Sequence, residues 1–100
     1  MRILRYVRVS SNSQKVDRQV EEGDRTRYSF FLEEKVSGKT ELFKREKGSI
    51  IKELILEGKI DVVSIYSVDR ISRNLIDLLS VIDFFHDNGV ALQIDNLGIT

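Results

Sequence analysis

Four short segments rich in branched and aromatic residues alternate with segments of helical periodicity, and this alternation constrains the fold more than any other feature. The predicted strands cover residues 3–9, 28–34, 60–66 and 90–94. The predicted helices start at Ser13, Ser49 and Ser72 and end at Gly23, Gly58 and Gly89. Alternating strands and helices are joined by right-handed crossovers. The pattern therefore predicts one α/β domain, a three-layer, open, mostly parallel sheet with helices on both faces.

The third predicted helix has the clearest amphipathic pattern. Ser72 is its predicted N-cap, and its apolar stripe consists of Leu75, Leu78, Leu79, Ile82 and Phe85. Residues at this spacing share one face of a helix, so we expect that face to pack on the sheet.

The predicted topology indicates where chemistry should occur, because ligands of open α/β sheets bind beyond the carboxyl ends of the strands. Three stretches fall there: Ser10, the charged loop within residues 34–45, and residues 67–73. We expect the first strand to be central, which would bring Ser10 near Arg70 and Arg73.

The composition restricts the available chemistry. The chain has no cysteine and one histidine, His86, which excludes thiol catalysis, Cys/His zinc sites and a Ser-His couple. His86 lies near the end of the third helix, where a cation complements the helix dipole. Gly38-Lys39-Thr40 is not a phosphate-binding P-loop, because Glu33 stands where that motif needs a glycine. Apolar runs are far shorter than the ~20 residues that span a bilayer, so we expect a cytoplasmic location without membrane contact.

The 16 basic and 16 acidic residues cancel in number but are unevenly distributed. Residues 1–18 hold five basic residues against one acidic, residues 35–52 hold six against two, and residues 74–100 hold four acidic and none basic. Solvated helix and loop faces are the simplest explanation of such asymmetry. The alternative is that the two positive clusters gather with Arg70 and Arg73 at the edge of the sheet that binds a phosphate.

Three guanidinium groups and a hydroxyl form the candidate site. Arg70 and Arg73 are three residues apart, so in a first helical turn they would form a fork suited to a phosphate. The alternative is a surface ion pair with Asp69. Arg8 and Ser10 are two apart on one strand face. A serine among guanidiniums, with no histidine available, is a plausible nucleophile toward a phosphodiester, whereas alone it would be read as a turn or cap.

Together these segments resemble the catalytic domain of serine site-specific recombinases, the resolvase/invertase family, over essentially all 100 residues. The matching motifs are residues 6–11, Gln14, Gln19, Ser37-Gly38, residues 58–61, residues 68–74 and residues 88–90. The resemblance implies that Ser10 attacks the scissile phosphate of double-stranded DNA, leaving a 5′ phosphoserine and a free 3′ hydroxyl. It implies no metal, ATP or other cofactor.

The resemblance also implies roles for the other residues. Arg8, Arg70 and Arg73 match phosphate-binding arginines, and Asp69 either orients Arg70 or takes part in proton transfer. Gln14 and Gln19 match residues that order the site. The family's usual loop arginine, two residues ahead of a glycine, is replaced here by Glu46, and its role is carried to Arg45. Glu34 stands where the family commonly has aspartate.

The resemblance implies a prokaryotic, nucleoid-associated protein and a homodimer that assembles to a tetramer on DNA. Because the family's members continue into a long dimerisation helix and a separate DNA-binding domain, we expect residues 1–100 to be a fragment that lacks both. Two alternatives remain open: a transposase with the same serine chemistry, and a non-catalytic α/β interaction module in which Asp69 and the arginines form surface ion pairs.

Overall fold

The computed structural model describes residues 1–9 and 25–96. The strands are β1 (Ile3–Val9), β2 (Phe30–Lys35), β3 (Val62–Ser67) and β4 (Ala91–Asn96), and the α-helices are α1 (Glu46–Leu56) and α2 (Leu75–Asp87). Short 3-10 turns cover Arg25–Arg27, Leu42–Lys44 and Val68–Arg70. The helix predicted from Ser13 lies outside the described residues. Neither described α-helix is long and apolar enough to cross a membrane.

The sheet is parallel throughout, with strand order β2-β1-β3-β4. The predicted α/β class and the central position of β1 are therefore confirmed. The chain passes from β1 to β2 on one side and then to β3 on the other, so the direction of winding reverses between β1 and β3. A crevice opens beyond the carboxyl ends of the strands at such a switch point, which is where α/β proteins bind ligands.

One hydrophobic core lies between the sheet and the two described helices. Leu4 of β1 pairs with Val63 of β3, so alternate residues of both strands face the same side. That side packs against Ile51 of α1 and Phe85 of α2 in a single buried cluster. Both described helices therefore cover this face, and the helical layer predicted on the other face remains a prediction.

The predicted apolar stripe of α2 is only partly correct. Phe85 is buried and Leu78 packs against the core, whereas Leu75, Leu79 and Ile82 are 67%, 53% and 38% exposed. The row that faces the core instead consists of Leu78, Val81 and Phe85, at positions i, i+3 and i+7. Two apolar rows run along this helix at compatible spacings, and helical periodicity alone does not determine which row faces the sheet.

Helix ends are set by residues with special backbone or capping properties. Gly58 and Gly89, which follow α1 and α2, have φ values of +68° and +70°, confirming the predicted terminators. The start of α2 differs from the prediction, because Asn74 and not Ser72 is the N-cap. The Asn74 Oδ1 accepts hydrogen bonds from the backbone N–H groups of Ile76 and Asp77, at 2.9 and 3.2 Å.

Candidate active site

Arg8 is a buried cation at the carboxyl end of β1. It is 2% exposed, and its Nη1 donates to the backbone carbonyl of Val36 at 3.0 Å. Its Nε is buried without a hydrogen-bond partner among the described residues. Burial lowers the pKa of the Arg8 guanidinium, and the charges of Arg70 and Arg45 lower it further. A buried cation among other cations is costly for the empty protein and favourable for an anionic ligand.

Asp69 and Arg70 lie in the turn that follows β3. The Arg70 Nη1 donates to Asp69 Oδ2 at 3.0 Å, and the Ser67 hydroxyl donates to Asp69 Oδ1. Burial raises the pKa of Asp69, but the hydrogen bond from Ser67 and the charges of Arg70 and Arg8 outweigh it, so the pKa is lowered. The carboxylate is therefore ionised at neutral pH and accepts a hydrogen bond on each oxygen.

The Arg70–Arg73 pair is formed by a turn, and the prediction that both residues lie in the first turn of a helix is wrong. Arg70 ends the 3-10 turn, and Arg73 precedes the Asn74 N-cap of α2. The Ser72 hydroxyl accepts from the backbone N–H of Asn74 at 3.0 Å, which shapes this linker. Both residues are nonetheless held at the site. The Arg70 carbonyl accepts from Arg45 Nη1 at 2.7 Å, the Arg73 backbone N–H donates to Gly38 O at 3.1 Å, and the charge of each arginine lowers the pKa of Arg8.

Arg45 is buried and connects the loop after β2 to the turn after β3. Its Nε donates to Thr40 O at 2.9 Å, and its Nη1 donates to Arg70 O at 2.7 Å. Its Nη2 donates to Gly38 O at 3.5 Å. Glu46, which begins α1, is exposed, so Arg45 is the inward-facing residue at this point of the loop. Most donors of Arg45 thus hold protein carbonyls, while its charge still acts on Arg8.

Tyr6 and Glu34 join the site, and the sequence had not assigned them a role. The Tyr6 hydroxyl donates to Glu34 Oε2 at 2.6 Å and accepts from Arg45 Nη1 at 3.1 Å. Burial and the Glu34 hydrogen bond raise the pKa of Tyr6 far above its ordinary value. Two signals could have identified these residues: Tyr6 shares a strand face with Arg8, and Glu34 ends the predicted second strand, beside Arg8 in the sheet.

The expectation that both positive clusters gather at this edge is only partly correct. Several cations are bound elsewhere: Arg2 pairs with Asp61, Arg5 with Asp95 and Lys44 with Glu41, and Lys52 lies over the rings of Phe43 and Phe84. Asp61 precedes β3, so its pair with Arg2 lies at the opposite, amino end of the sheet. A charge sum over a sequence window does not register such local pairing.

Other predicted residues have mixed outcomes. Ser10, Gln14 and Gln19 lie outside the described residues, although Ser10 directly follows Val9, the last residue of β1. No helix begins at Lys39, in agreement with the rejection of a P-loop. His86 lies in the last turn of α2, as predicted.

The fold is an open, parallel α/β domain, and the buried and half-buried arginines at its switch point are groups suited to an anionic ligand. Comparison with known proteins is more specific. Residues 3–99 match the family described as "Resolvase, N terminal domain", so the chain belongs to that family.

Individual relatives agree with this assignment. The chain is 32% identical over its full length to a resolvase/recombinase of Pseudomonas putida, covering 54% of that protein. It is 35% identical over 88% of its length to the Tn501 resolvase of Pseudomonas aeruginosa, covering 44% of that protein. The chain thus spans about half the length of these relatives.

Solved structures share the fold. The C-terminal catalytic domain of ISC1926 TnpA, an IS607-like serine recombinase, has a TM-score of 0.81 at 24% identity, covering 95% of this chain and 70% of that one. The N-terminal catalytic domain of TP901-1 integrase has a TM-score of 0.75 at 22% identity, with 96% and 78% covered.

Proposed function

We propose that this chain is the catalytic domain of a site-specific DNA recombinase in which Ser10 is the nucleophile. One observation carries the proposal: Arg8, Arg70 and Arg73 are held by hydrogen bonds to the turns beyond the carboxyl ends of the strands, and β1 leads directly into Ser10. Fixed cations at this point favour a group that gains negative charge during reaction. Membership of the resolvase family supports a DNA phosphodiester as that group.

The proposed reaction exchanges one phosphate ester for another. The Ser10 Oγ bonds to the scissile phosphorus and loses its proton, while the bond from phosphorus to the 3′ oxygen breaks and that oxygen takes up a proton. A 3′ hydroxyl then attacks the 5′ phosphoserine and restores both the DNA backbone and the serine. Because each step conserves one phosphodiester, the cycle requires no ATP. Arg8, Arg70 and Arg73 stabilise the charge that develops on the phosphoryl oxygens.

The remaining residues act on the arginines. We assign Asp69 to orienting Arg70, because an ionised carboxylate that accepts on both oxygens is not a proton donor. We assign Arg45 to positioning, because its donors hold the carbonyls of Gly38, Thr40 and Arg70. Gln14 and Gln19 are proposed to order the site around Ser10.

Double-stranded DNA is the proposed partner, and a homodimer that pairs into a tetramer is the proposed assembly. Strand exchange needs four strand ends cleaved together, and one nucleophile acts on each end. Four copies of Ser10 therefore satisfy the stoichiometry.

Trapping the covalent intermediate tests the function. The full-length protein is incubated with a library of genomic DNA fragments, denatured, and assayed for DNA ends that remain attached until protease treatment. We expect attached 5′ ends at recurrent sites, and no attachment with Ser10→Ala. Ser11→Ala is the matched control, because it removes the neighbouring hydroxyl and should leave attachment intact. Attachment that persists in Ser10→Ala contradicts the proposal.

A further inference from the structure

A cleft beside the arginine cluster has no assigned role. It has a volume of about 430 Å³ and is lined by Lys39, Arg73 and Asn74. Of the described residues, those lining it contribute two positive charges and no negative charge. Asn74 contributes an amide, whose oxygen is already occupied by the N–H groups at the start of α2. The cleft thus offers cations and an amide donor to a ligand, which is the chemistry of an anion site.

The turn that carries Lys39 is fixed relative to Arg73. Thr40 N donates to Ser37 O at 3.2 Å, and Lys39 N donates to Ser37 Oγ at 3.1 Å, which closes a tight turn. The buried guanidinium of Arg45 holds the carbonyls on both sides of Lys39, those of Gly38 and Thr40. The backbone of Lys39 is therefore positioned before any ligand binds.

Arg73 is fixed against the same turn. Its backbone N–H donates to Gly38 O at 3.1 Å. A Cβ atom at Gly38 would lie 3.1 Å from the side-chain carbons of Arg73, so the absence of a side chain there lets the arginine stem lie against the turn. Lys39 and Arg73 are thus neighbouring cations held by one turn. Their charges repel each other, and an anion bound between them would relieve that repulsion.

We propose that Lys39 and this cleft bind a second DNA backbone phosphate, next to the phosphate that Ser10 attacks. The inference rests on the proposed function and extends it. Arg73 connects the two positions. Its side chain lines the cleft and lies against Gly38, two residues after Val36, whose carbonyl accepts from Arg8. Binding of the second phosphate would fix the register of the strand, and so the position of the scissile phosphate relative to Ser10.

The salt dependence of DNA binding tests this site. Each lost phosphate contact reduces the slope of log affinity against log salt by about 0.9. The affinity advantage of the Lys39 protein over Lys39→Gln should therefore fall roughly 3.5-fold between about 50 and 200 mM salt. Affinities are measured by fluorescence anisotropy on a labelled duplex in a Ser10→Ala background, which prevents cleavage. Contacts elsewhere in the protein cancel in this comparison.

The controls separate the site from general basicity and from catalysis. Lys44→Gln removes a charge from the same loop, but Lys44 lies 2.7 Å from Glu41, so the slope should not change. Lys39→Arg should preserve the slope. Because the slope is measured in the Ser10→Ala background, it does not depend on catalysis. An unchanged slope in Lys39→Gln, or an equal change in Lys44→Gln, overturns the phosphate site but not the proposed function, which Ser10→Ala tests independently.

Discussion

Replacement of Arg8 by methionine should stabilise the protein while abolishing its chemistry. The substitution retains a long side chain at a buried position of β1 but removes the charge. Among the described residues, it loses the hydrogen bond from Nη1 to Val36 O, worth about 1.5–3 kcal/mol for a charged donor. The substitution also removes two terms that destabilise the native protein. A buried, unpaired Nε costs it about 1–3 kcal/mol, and desolvation of the cation costs it several kcal/mol.

The balance favours the variant by about 1–3 kcal/mol, within the range found when buried charges are replaced by apolar groups. The lowered pKa of Arg8 has the same sign, since a base that holds its proton less tightly when folded opposes folding while it is charged. A gain of about 2 kcal/mol corresponds to a rise in Tm of roughly 8–16 °C. Urea unfolding at pH 7 measures the free energy, and the covalent-adduct assay measures the loss of chemistry.

Arg5→Met is the matched control, because Arg5 is equally buried on the same strand but is paired. Its guanidinium donates to Ser64 Oγ and to Asp95 Oδ2, both at 2.8 Å. Removing it leaves the buried Ser64 without this donor, so we expect a loss of about 1–3 kcal/mol. If Arg8→Met instead destabilises the protein by as much as Arg5→Met, then Arg8 is held by protein contacts, and its assignment as a ligand-directed cation is refuted.

The sheet could be predicted because its signals are local. The bounds of β1 agree with the structure at both ends, and the two terminating glycines have the left-handed conformation that their position requires. The start of α1 was placed at Ser49, whereas the helix begins at Glu46. A carboxylate oxygen of Glu34 accepts from the backbone N–H of Lys47 at 3.0 Å. This capping carboxylate comes from β2, so no local sequence pattern at the start of α1 could indicate it.

The site likewise has residues that the sequence could identify and one role that it could not. Arg8 and Arg70 could be assigned from strand ends, because the topology of a parallel sheet brings these ends together. The positioning role of Arg45 could not be predicted, because it depends on carbonyl groups of Gly38 and Thr40 that only tertiary structure places around the guanidinium. The resemblance identified which arginine occupies the loop, and the contacts indicate that it holds the loop in place.

Three further substitutions should have measurable outcomes. Gly48→Ala should destabilise the protein by about 1–3 kcal/mol in urea unfolding, because the alanine Cβ would lie 1.8 Å from the carbonyl oxygen of Leu42. Alanine intrinsically favours helices, so a gain in stability would contradict this packing. Phe85→Ala should lower the free energy of unfolding by about 3–5 kcal/mol, whereas Leu79→Ala, at a half-exposed residue, should lower it by under about 1 kcal/mol. Equal losses would contradict the assigned core face of α2. Asp69→Asn should lower stability at pH 7. The difference should shrink as the pH falls below about 4, because a lowered carboxyl pKa contributes stability above its unfolded value and loses it as the pH falls through the folded one. A difference that is the same at pH 7 and after the carboxylates are fully protonated in acid would contradict the ionised assignment.

The arginines of this chain show how the charge environment separates structural from functional cations. Arg2 and Arg5 pair with carboxylates, at Asp61 and Asp95, and those pairs tie strands together. Arg8 has the opposite environment, because its strongest charged neighbours are Arg70 and Arg45. Asp69 offsets only part of this repulsion, because its effect on Arg8 is smaller than those of Arg70 and Arg45. An anion bound among these cations would lower the cost of burying Arg8, which supports the phosphate ligand proposed above.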